Sequence, residues 1–71
     1  MNGEIKKYII NNFKNDDKSE IKNAIEESIN TNDDVTLPGL GIFFLLNWND
    51  ANDKEKDLIV DRIFNQIKKS N

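Results

Sequence analysis

The side chains of this sequence that could do chemistry are mostly carboxylates, and they occur in close pairs. Thirteen Asp and Glu stand against ten Lys and Arg in 71 residues. Paired carboxylates can hold a hard cation, or can share a proton in acid–base catalysis where burial or a neighbouring charge shifts their pKa. The pairs fall at three places along the chain: Asp16 with Asp17, Asp33 with Asp34, and Asp50 with Asp53.

The stretch from residue 50 to residue 61 begins like the calcium-binding loop of an EF-hand. Asp50, Asn52 and Lys54 stand where the loop places its first ligands. The position that needs glycine holds Glu55, and the position that needs a final glutamate holds Asp61. We therefore expect these acids to cap helices or to lie in solvated turns, and we expect no metal site and no cofactor.

The sequence contains neither Cys nor His. A Ser-His-Asp triad, a Cys-His pair and a zinc hydrolase centre each need one of these residues, so all three are excluded. Nothing in so short a chain indicates the pocket that would activate a carboxylate. We expect a protein that is not an enzyme and that has no catalytic residues.

Two glycines near the middle of the chain have the spacing that opens a dinucleotide-binding fingerprint. They are Gly39 and Gly41, and the position of the third glycine holds Phe44. A chain of this length also has no room for the strand–helix–strand unit that the fingerprint needs. The expected role of the two glycines is a structural turn.

Pairs of lysines could contact the phosphates of a nucleic acid. They are Lys6 with Lys7, Lys18 with Lys22, and Lys68 with Lys69. Acidic residues lie between these pairs, and the net charge of the chain is −3, whereas a nucleic-acid binder shows a basic excess on one face. Solvated helix faces are the expected role of these lysines, and nucleic acid is not an expected partner.

Apolar residues at three- and four-residue intervals predict three amphipathic helices, over residues 3–14, 18–30 and 53–69. We expect a further helix near 39–49, where apolar side chains point in every direction and should be buried on all sides. A buried strand or hairpin is the alternative, because Phe and Ile also suit strands. The predicted fold is all-α, a small single-domain four-helix arrangement over residues 1–71, with the amphipathic helices around a central apolar helix.

Capping residues mark where three of these helices begin. Asp17 with Glu20, and Asn52 with Glu55, have the spacing of a capping box, in which each residue satisfies a backbone N–H of the other. Asn2 is the expected N-cap of the first helix. We therefore expect the side chains of these acidic and amide residues to have a structural role.

The apolar run from residue 40 to residue 48 is long for a chain of this size. A domain near 70 residues buries only about 60% of the surface of its unfolded chain, so little material is left to cover the run. Phe43, Phe44 and Trp48 are therefore candidates for an interface, since aromatic rings are favoured there. Packing in the core is the other interpretation, and self-association through residues 40–48 stays open.

A five-residue motif precedes this run, and it has a familiar sequence: Leu37, Pro38, Gly39, Leu40 and Gly41. An apolar run follows the motif, and after it come Trp48, Ala51, Glu55 and Lys56. With two short helices before the motif, the sequence resembles the I-type small acid-soluble spore proteins of endospore-forming bacteria. The resemblance covers the whole chain without insertions.

The resemblance implies a minor, non-enzymatic protein that is made in the forespore during sporulation and is kept in the spore core. It implies no catalytic or binding residues and no assigned molecular role, and the DNA-coating class of spore proteins is a different one. A cytoplasmic location agrees with the first residues, which lack a basic region followed by an apolar run. The longest apolar run is also far short of the ~20 residues that span a bilayer, so we expect no membrane partner.

A second resemblance is to the histone-like HU proteins, in which two helices precede a stretch of strands. The residues that carry it alternate along the chain: Val35, Leu37, Gly39, Gly41 and Phe43. No basic arm follows this stretch, and the net charge is negative. A small nucleic-acid-associated module is therefore kept as an alternative function.

Overall fold

The computed structural model describes residues 3–31 and 34–70 and forms them into four α-helices. These are α1 (Gly3–Phe13), α2 (Lys18–Thr31), α3 (Leu37–Asp50) and α4 (Asp53–Lys69). The predicted all-α fold is confirmed, and the predicted bounds differ from the observed ones by at most two residues. Residues 37–50 are helical, so the strand alternative for this segment and the strands that the HU resemblance implies there are wrong.

The apolar stripes of α1 and α2 form one side of the core. Ile5, Ile9 and Phe13 of α1 are half-buried, as are Ile21 and Ile25 of α2. This spacing of three and four residues places each set on one helical face, as the sequence predicts. The stripes are incomplete, because Tyr8 on α1 is 65% exposed.

The start of α2 contains half of the predicted capping box. The backbone N–H of Glu20 donates to a carboxylate oxygen of Asp17 at 3.4 Å, and the Ser19 hydroxyl donates to the same oxygen at 2.9 Å. The charges of Asp16 and Asp17 raise the pKa of the Glu20 carboxyl group. The predicted cap Asn2 and residues 32 and 33 of the connector lie outside the described residues.

The predicted capping box of α4 is complete. The backbone N–H of Glu55 donates to the Asn52 side chain at 2.8 Å, and the backbone N–H of Asn52 donates to the Glu55 carboxylate at 2.8 Å. Only Ala51 and Asn52 separate α3 from α4. The twelve-residue loop of an EF-hand cannot form here, because residues 53–61 are already helical.

The predicted glycine turn is wrong, because Gly39 and Gly41 lie inside α3. The helix begins with Pro38 in its first turn, where the missing N–H has no helical partner in any case. The Thr36 hydroxyl donates to the Ser28 carbonyl oxygen at 3.4 Å and so links the start of α3 to α2. The Leu40 N–H donates to the Thr36 carbonyl oxygen at 3.2 Å.

The apolar helix α3 is covered on one side only. Ile42, at 6% exposure, is the one buried apolar residue among residues 3–31 and 34–70. Phe44 and Leu45 of the same helix are exposed, so the expectation that this segment is buried on all sides is wrong. None of the helices described in the structure combines the length and the apolar character that crossing a membrane requires.

Candidate functional site

Two opposite faces of α3 have different surroundings. With 3.6 residues per turn, Ile42, Phe43 and Leu46 lie on one side of the helix, and Phe44 and Trp48 lie on the other. The first side faces α1 and α2, and we call it the core face. The second side faces α4, and we call it the groove face.

The core face is defined by aromatic and close backbone contacts with α1. The rings of Phe13 and Phe43 meet edge to face, with centroids 5.5 Å apart and an interplanar angle of 66°. A Cβ placed on Gly39 would lie 3.6 Å from the terminal methyl of Ile9, which is ordinary van der Waals distance. A methyl group at residue 39 would therefore fit against α1 without displacing it.

The groove face is defined by a stack of aromatic rings and a lysine of α4 that lies over it. The rings of Phe44 and Trp48 stack with centroids 5.8 Å apart and 27° between their planes. The Nζ of Lys56 on α4 lies 5.3 Å from the Trp48 ring centroid, within reach of a cation–π interaction. Trp48 is half-buried, whereas Phe44 is 44% exposed.

An apolar groove of about 390 Å³ runs between α3 and α4. Helical periodicity brings residues 41, 44, 45 and 48 to one face of α3, since they are spaced by three, four and seven positions. The walls of the groove are formed by Gly41, Phe44, Leu45, Trp48, Val60 and Ile63. The groove has the size and apolar lining of a site that receives one or two side chains.

The apolar stripe of α4 continues beyond the groove and is exposed. Phe64 and Ile67 lie in the same stripe as Val60 and Ile63, at the spacing of one helical face. We call the exposed part of the two helices the open apolar surface, and it consists of Phe44, Leu45, Val60, Ile63, Phe64 and Ile67. Contiguous apolar surface of this kind marks interaction sites in soluble proteins.

The residues predicted as an interface are divided between the two faces. Phe44 and Trp48 line the groove, but Phe43 lies against Phe13 on the core face. The motif Leu37, Pro38, Gly39, Leu40 and Gly41 forms the first two turns of α3, and its role stays a prediction. Sequence reasoning missed the contribution of α4, although the regular spacing of Val60, Ile63, Phe64 and Ile67 was the signal for it.

The carboxylate pairs do not assemble into a site among the described residues. No group of three or more Asp and Glu in residues 3–31 and 34–70 is arranged to hold a metal ion. The charge of Asp16, its hydrogen bond to Glu20 and the charge of Asp17 together raise the pKa of Glu20 above its usual value of 4.5. These three side chains are exposed at the start of α2, and Asp33 lies outside the described residues.

Comparison with known proteins agrees with the motif at the start of α3. The model of the family "Small, acid-soluble spore protein I" matches residues 4–67, which is most of the chain. The chain belongs to this family. The matched range contains the first three helices almost entirely and α4 up to its last turn.

Relatives of this family match the chain almost end to end. A small, acid-soluble spore protein I of Geobacillus kaustophilus is 29% identical over 96% of this chain and 99% of its own length. Its counterpart in Halalkalibacterium halodurans is 29% identical over 89% of this chain and 93% of its own length. The protein of that name in Bacillus velezensis is 28% identical over 80% of each chain. No solved structure matches the chain.

Proposed function

We propose that the protein is a non-enzymatic component of the spore core, made in the forespore during sporulation, and that it acts by binding a protein surface. The observation that carries this proposal is the family match over residues 4–67. The relatives that match nearly end to end bear the same name, small, acid-soluble spore protein I. Their full-length overlap supports the same role for the whole of this chain.

The charge composition supports solubility in acid. Below about pH 3 the thirteen carboxyl groups are protonated, because the usual pKa values of Asp and Glu are near 4. The ten Lys and Arg side chains stay charged, so the chain becomes strongly cationic. Copies of such a chain repel one another and remain in solution.

The side chains of the described residues support binding rather than catalysis. Every Asp and Glu in residues 3–31 and 34–70 is exposed, and the sequence supplies no Cys or His. A catalytic carboxyl group normally needs burial or close charges to shift its pKa far enough. The open apolar surface is instead suited to an apolar protein surface, since protein interfaces have apolar centres rich in aromatic rings.

The net charge argues against nucleic acids and lipid surfaces as partners. At −3, the chain is repelled by phosphate backbones and by anionic bilayers alike. Lys6 and Lys7 are the only adjacent cations of α1, and Glu4 lies in the same helix. These features favour a protein partner that stays in the spore core.

An immunoblot across a sporulation time course tests the place and time of synthesis. We expect the protein to be absent from vegetative cells, to accumulate in the forespore compartment, and to remain in spores after their coats have been removed. Equal amounts in vegetative cells, or loss with the coat fraction, would contradict the proposal. A cytoplasmic protein of vegetative cells is the loading control.

A titration with duplex DNA tests the choice of partner. Binding through phosphate contacts weakens steeply between about 50 mM and about 200 mM salt. We expect no binding at either salt concentration. Salt-sensitive binding would contradict the proposed protein partner and would indicate a nucleic acid as the partner.

A further inference from the structure

We propose that two copies of the chain associate through the open apolar surface, with their α4 helices antiparallel about a two-fold axis. This inference rests on the proposed function and names the partner that its protein-binding surface receives. A two-fold contact uses the same surface on both copies, so the surface must complement itself. Its area, shape and charge each meet that requirement.

The first observation is the amount of surface that the single chain leaves exposed. Its accessible surface is 6073 Å². A compact monomer of 8.2 kDa exposes about 4,500 Å² according to the usual dependence of surface on mass. The excess of about 1,500 Å² is summed over the whole chain, and it is larger than the area of about 800 Å² that a standard interface removes from each partner.

The second observation is the shape of the open apolar surface. It combines a groove beside Phe44 and Trp48 with a projecting stripe that ends in Phe64 and Ile67. In an antiparallel pair whose α4 helices overlap along their length, the last turn of one helix lies beside the first turn of the other, and Phe64 of one copy lies beside residues 60–63 of the other. Phe64 or Ile67 of each copy then reaches the groove of the other copy, and both are buried on association.

The third observation is the distribution of charge along α4. The half from Asp53 to Asp61 has four acids and two lysines, a net charge of −2. The half from Arg62 to Lys69 has three cations and no acid, a net charge of +3. Two antiparallel α4 helices place each acidic half against a basic half. Their helix dipoles also point in opposite directions, which is the favourable arrangement for neighbouring helices. Two parallel helices would place like charges together.

The fourth observation concerns the residues that border the stripe. By helical geometry Asp57 and Lys68 point within about 20° of each other, on the same edge of the stripe. The Nζ of Lys68 lies 5.4 Å from the ring centroid of Phe64, which places that charge beside the apolar surface. Antiparallel pairing therefore brings Asp57 of each copy toward Lys68 of the second copy.

Sedimentation equilibrium of the full-length chain, from about 1 µM to about 300 µM near pH 7, tests the association itself, because dimer formation depends on concentration. We expect the mass to rise from 8.2 kDa toward twice that value. Val60→Asn places an amide in the centre of the surface, and we expect it to weaken the dimer at least tenfold. The matched control is Leu58→Asn, which is similarly exposed but lies about 160° away around α4, and it should associate like the unmodified chain.

Each outcome of this experiment decides the inference. A mass of 8.2 kDa at every concentration would overturn it, and so would trimers or larger assemblies. A dimer that Leu58→Asn and Val60→Asn weaken equally would place the contact elsewhere. Circular dichroism of both variants at the lowest concentration establishes that the single chain keeps its helices.

A charge reversal tests the antiparallel orientation. Lys68→Glu should weaken the dimer roughly two- to thirty-fold, since two symmetric surface ion pairs become repulsive. The control Lys69→Glu changes the same charge in the same turn but lies on the opposite face of α4, and its effect should be much smaller. Adding Asp57→Lys to Lys68→Glu should restore association.

The orientation is overturned if Lys68→Glu and Lys69→Glu have equal effects, or if the double variant stays as weak as Lys68→Glu alone. These measurements use the purified chain and are independent of where the protein accumulates. A monomer that is found in the spore core would overturn only this inference. A dimer that is abundant in vegetative cells would overturn only the proposed location.

Discussion

The two faces of α3 differ in what covers them, although their residues are equally apolar. On the core face, Ile42 is buried and the rings of Phe13 and Phe43 meet across the contact with α1. On the groove face, Phe44 and Leu45 stay exposed beside α4. Hydrophobic composition alone therefore does not decide which part of a helix is core.

The difference in burial follows from the number of helices that pack against each face of α3. Two helices, α1 and α2, bring their half-buried stripes to the core face. One helix, α4, packs against the groove face, and its own apolar residues Val60, Ile63 and Phe64 are exposed. Residues 3–31 and 34–70 form no fifth helix, so part of the apolar surface stays uncovered.

The largest expected effect comes from the centre of the core face. Ile42→Ala removes the most deeply buried side chain among the described residues and should lower the free energy of unfolding by about 2–4 kcal/mol. This is a large part of the stability of so small a domain, so the variant should unfold at a clearly lower denaturant concentration. Chemical unfolding followed by circular dichroism measures the loss.

The matched control for this change is Leu45→Ala, three positions along the same helix and on the groove face. Leu45 is exposed, so less burial is lost, and the expected cost at low concentration is below about 1 kcal/mol. Equal losses in Ile42→Ala and Leu45→Ala would erase the distinction between the two faces.

The next effect concerns the attachment of α4. Asn52→Ala removes the acceptor for the Glu55 N–H and breaks the capping box, and it should cost about 1 kcal/mol. Since few contacts hold α4 to the rest of the molecule, we expect its first turn to fray and the helical signal to fall. Asn65→Ala, in the middle of the same helix, is the control and should be neutral or slightly stabilising. A loss of stability in Asn65→Ala of the same size would contradict the capping role.

A smaller, stabilising effect is expected at the glycine on the groove face. A Cβ on Gly41 would meet no atom within 4 Å, so Gly41→Ala should raise the free energy of unfolding by about 1 kcal/mol through helix propensity alone. Gly39→Ala on the core face should give a similar gain, with the methyl group of Ile9 at ordinary distance. Thermal melting at low concentration measures both variants. Destabilisation by Gly41→Ala would show that the groove is closed in the single chain.

The smallest effect lies at the exposed start of α2. The pKa of Glu20 is raised, which means that the folded state disfavours its charged form. The protonated Glu20 therefore contributes stability below pH 4.5, and this contribution is lost as the pH rises through the pKa of the folded state. Glu20→Gln should therefore raise the melting temperature slightly near pH 7 and leave it unchanged near pH 3. Glu27→Gln, farther along α2, is the control. A shift of the same size at both pH values would contradict repulsion from Asp16 and Asp17 as the cause.

Local signals in the sequence predict the secondary structure well. The spacing of Asn52 and Glu55 predicts a capping box that is complete in the structure, and the stripe behind it predicts α4 to the residue. Asp17 and Glu20 predict the start of α2 correctly but do not predict that the charge of Asp16 raises the pKa of Glu20. That effect depends on how the preceding turn bends, and spacing does not encode it.

Two expectations failed because they depend on what lies beside α3. Gly39 and Gly41 indicate a turn by residue type, but the apolar residues that follow gain more by continuing a helix against α1 and α2. The run from Leu40 to Trp48 indicates burial on all sides, but only two helices reach its core face. A hydrophobic run in the sequence indicates that its burial would be favourable, but it does not indicate whether other helices can cover it.

The sequence by itself determined the helical stripes, the cap of α4, the exclusion of histidine and cysteine chemistry, and the motif that led to the spore protein family, because each depends on residues close together in the chain. Only the tertiary structure decided that Phe43 belongs to the core face, that Phe44 belongs to the groove, and that Val60 and Ile63 form the opposite wall. The reason is that neighbouring residues of a helix point about 100° apart, so the same apolar pair can serve two environments. Which environment each side chain meets depends on how distant helices pack.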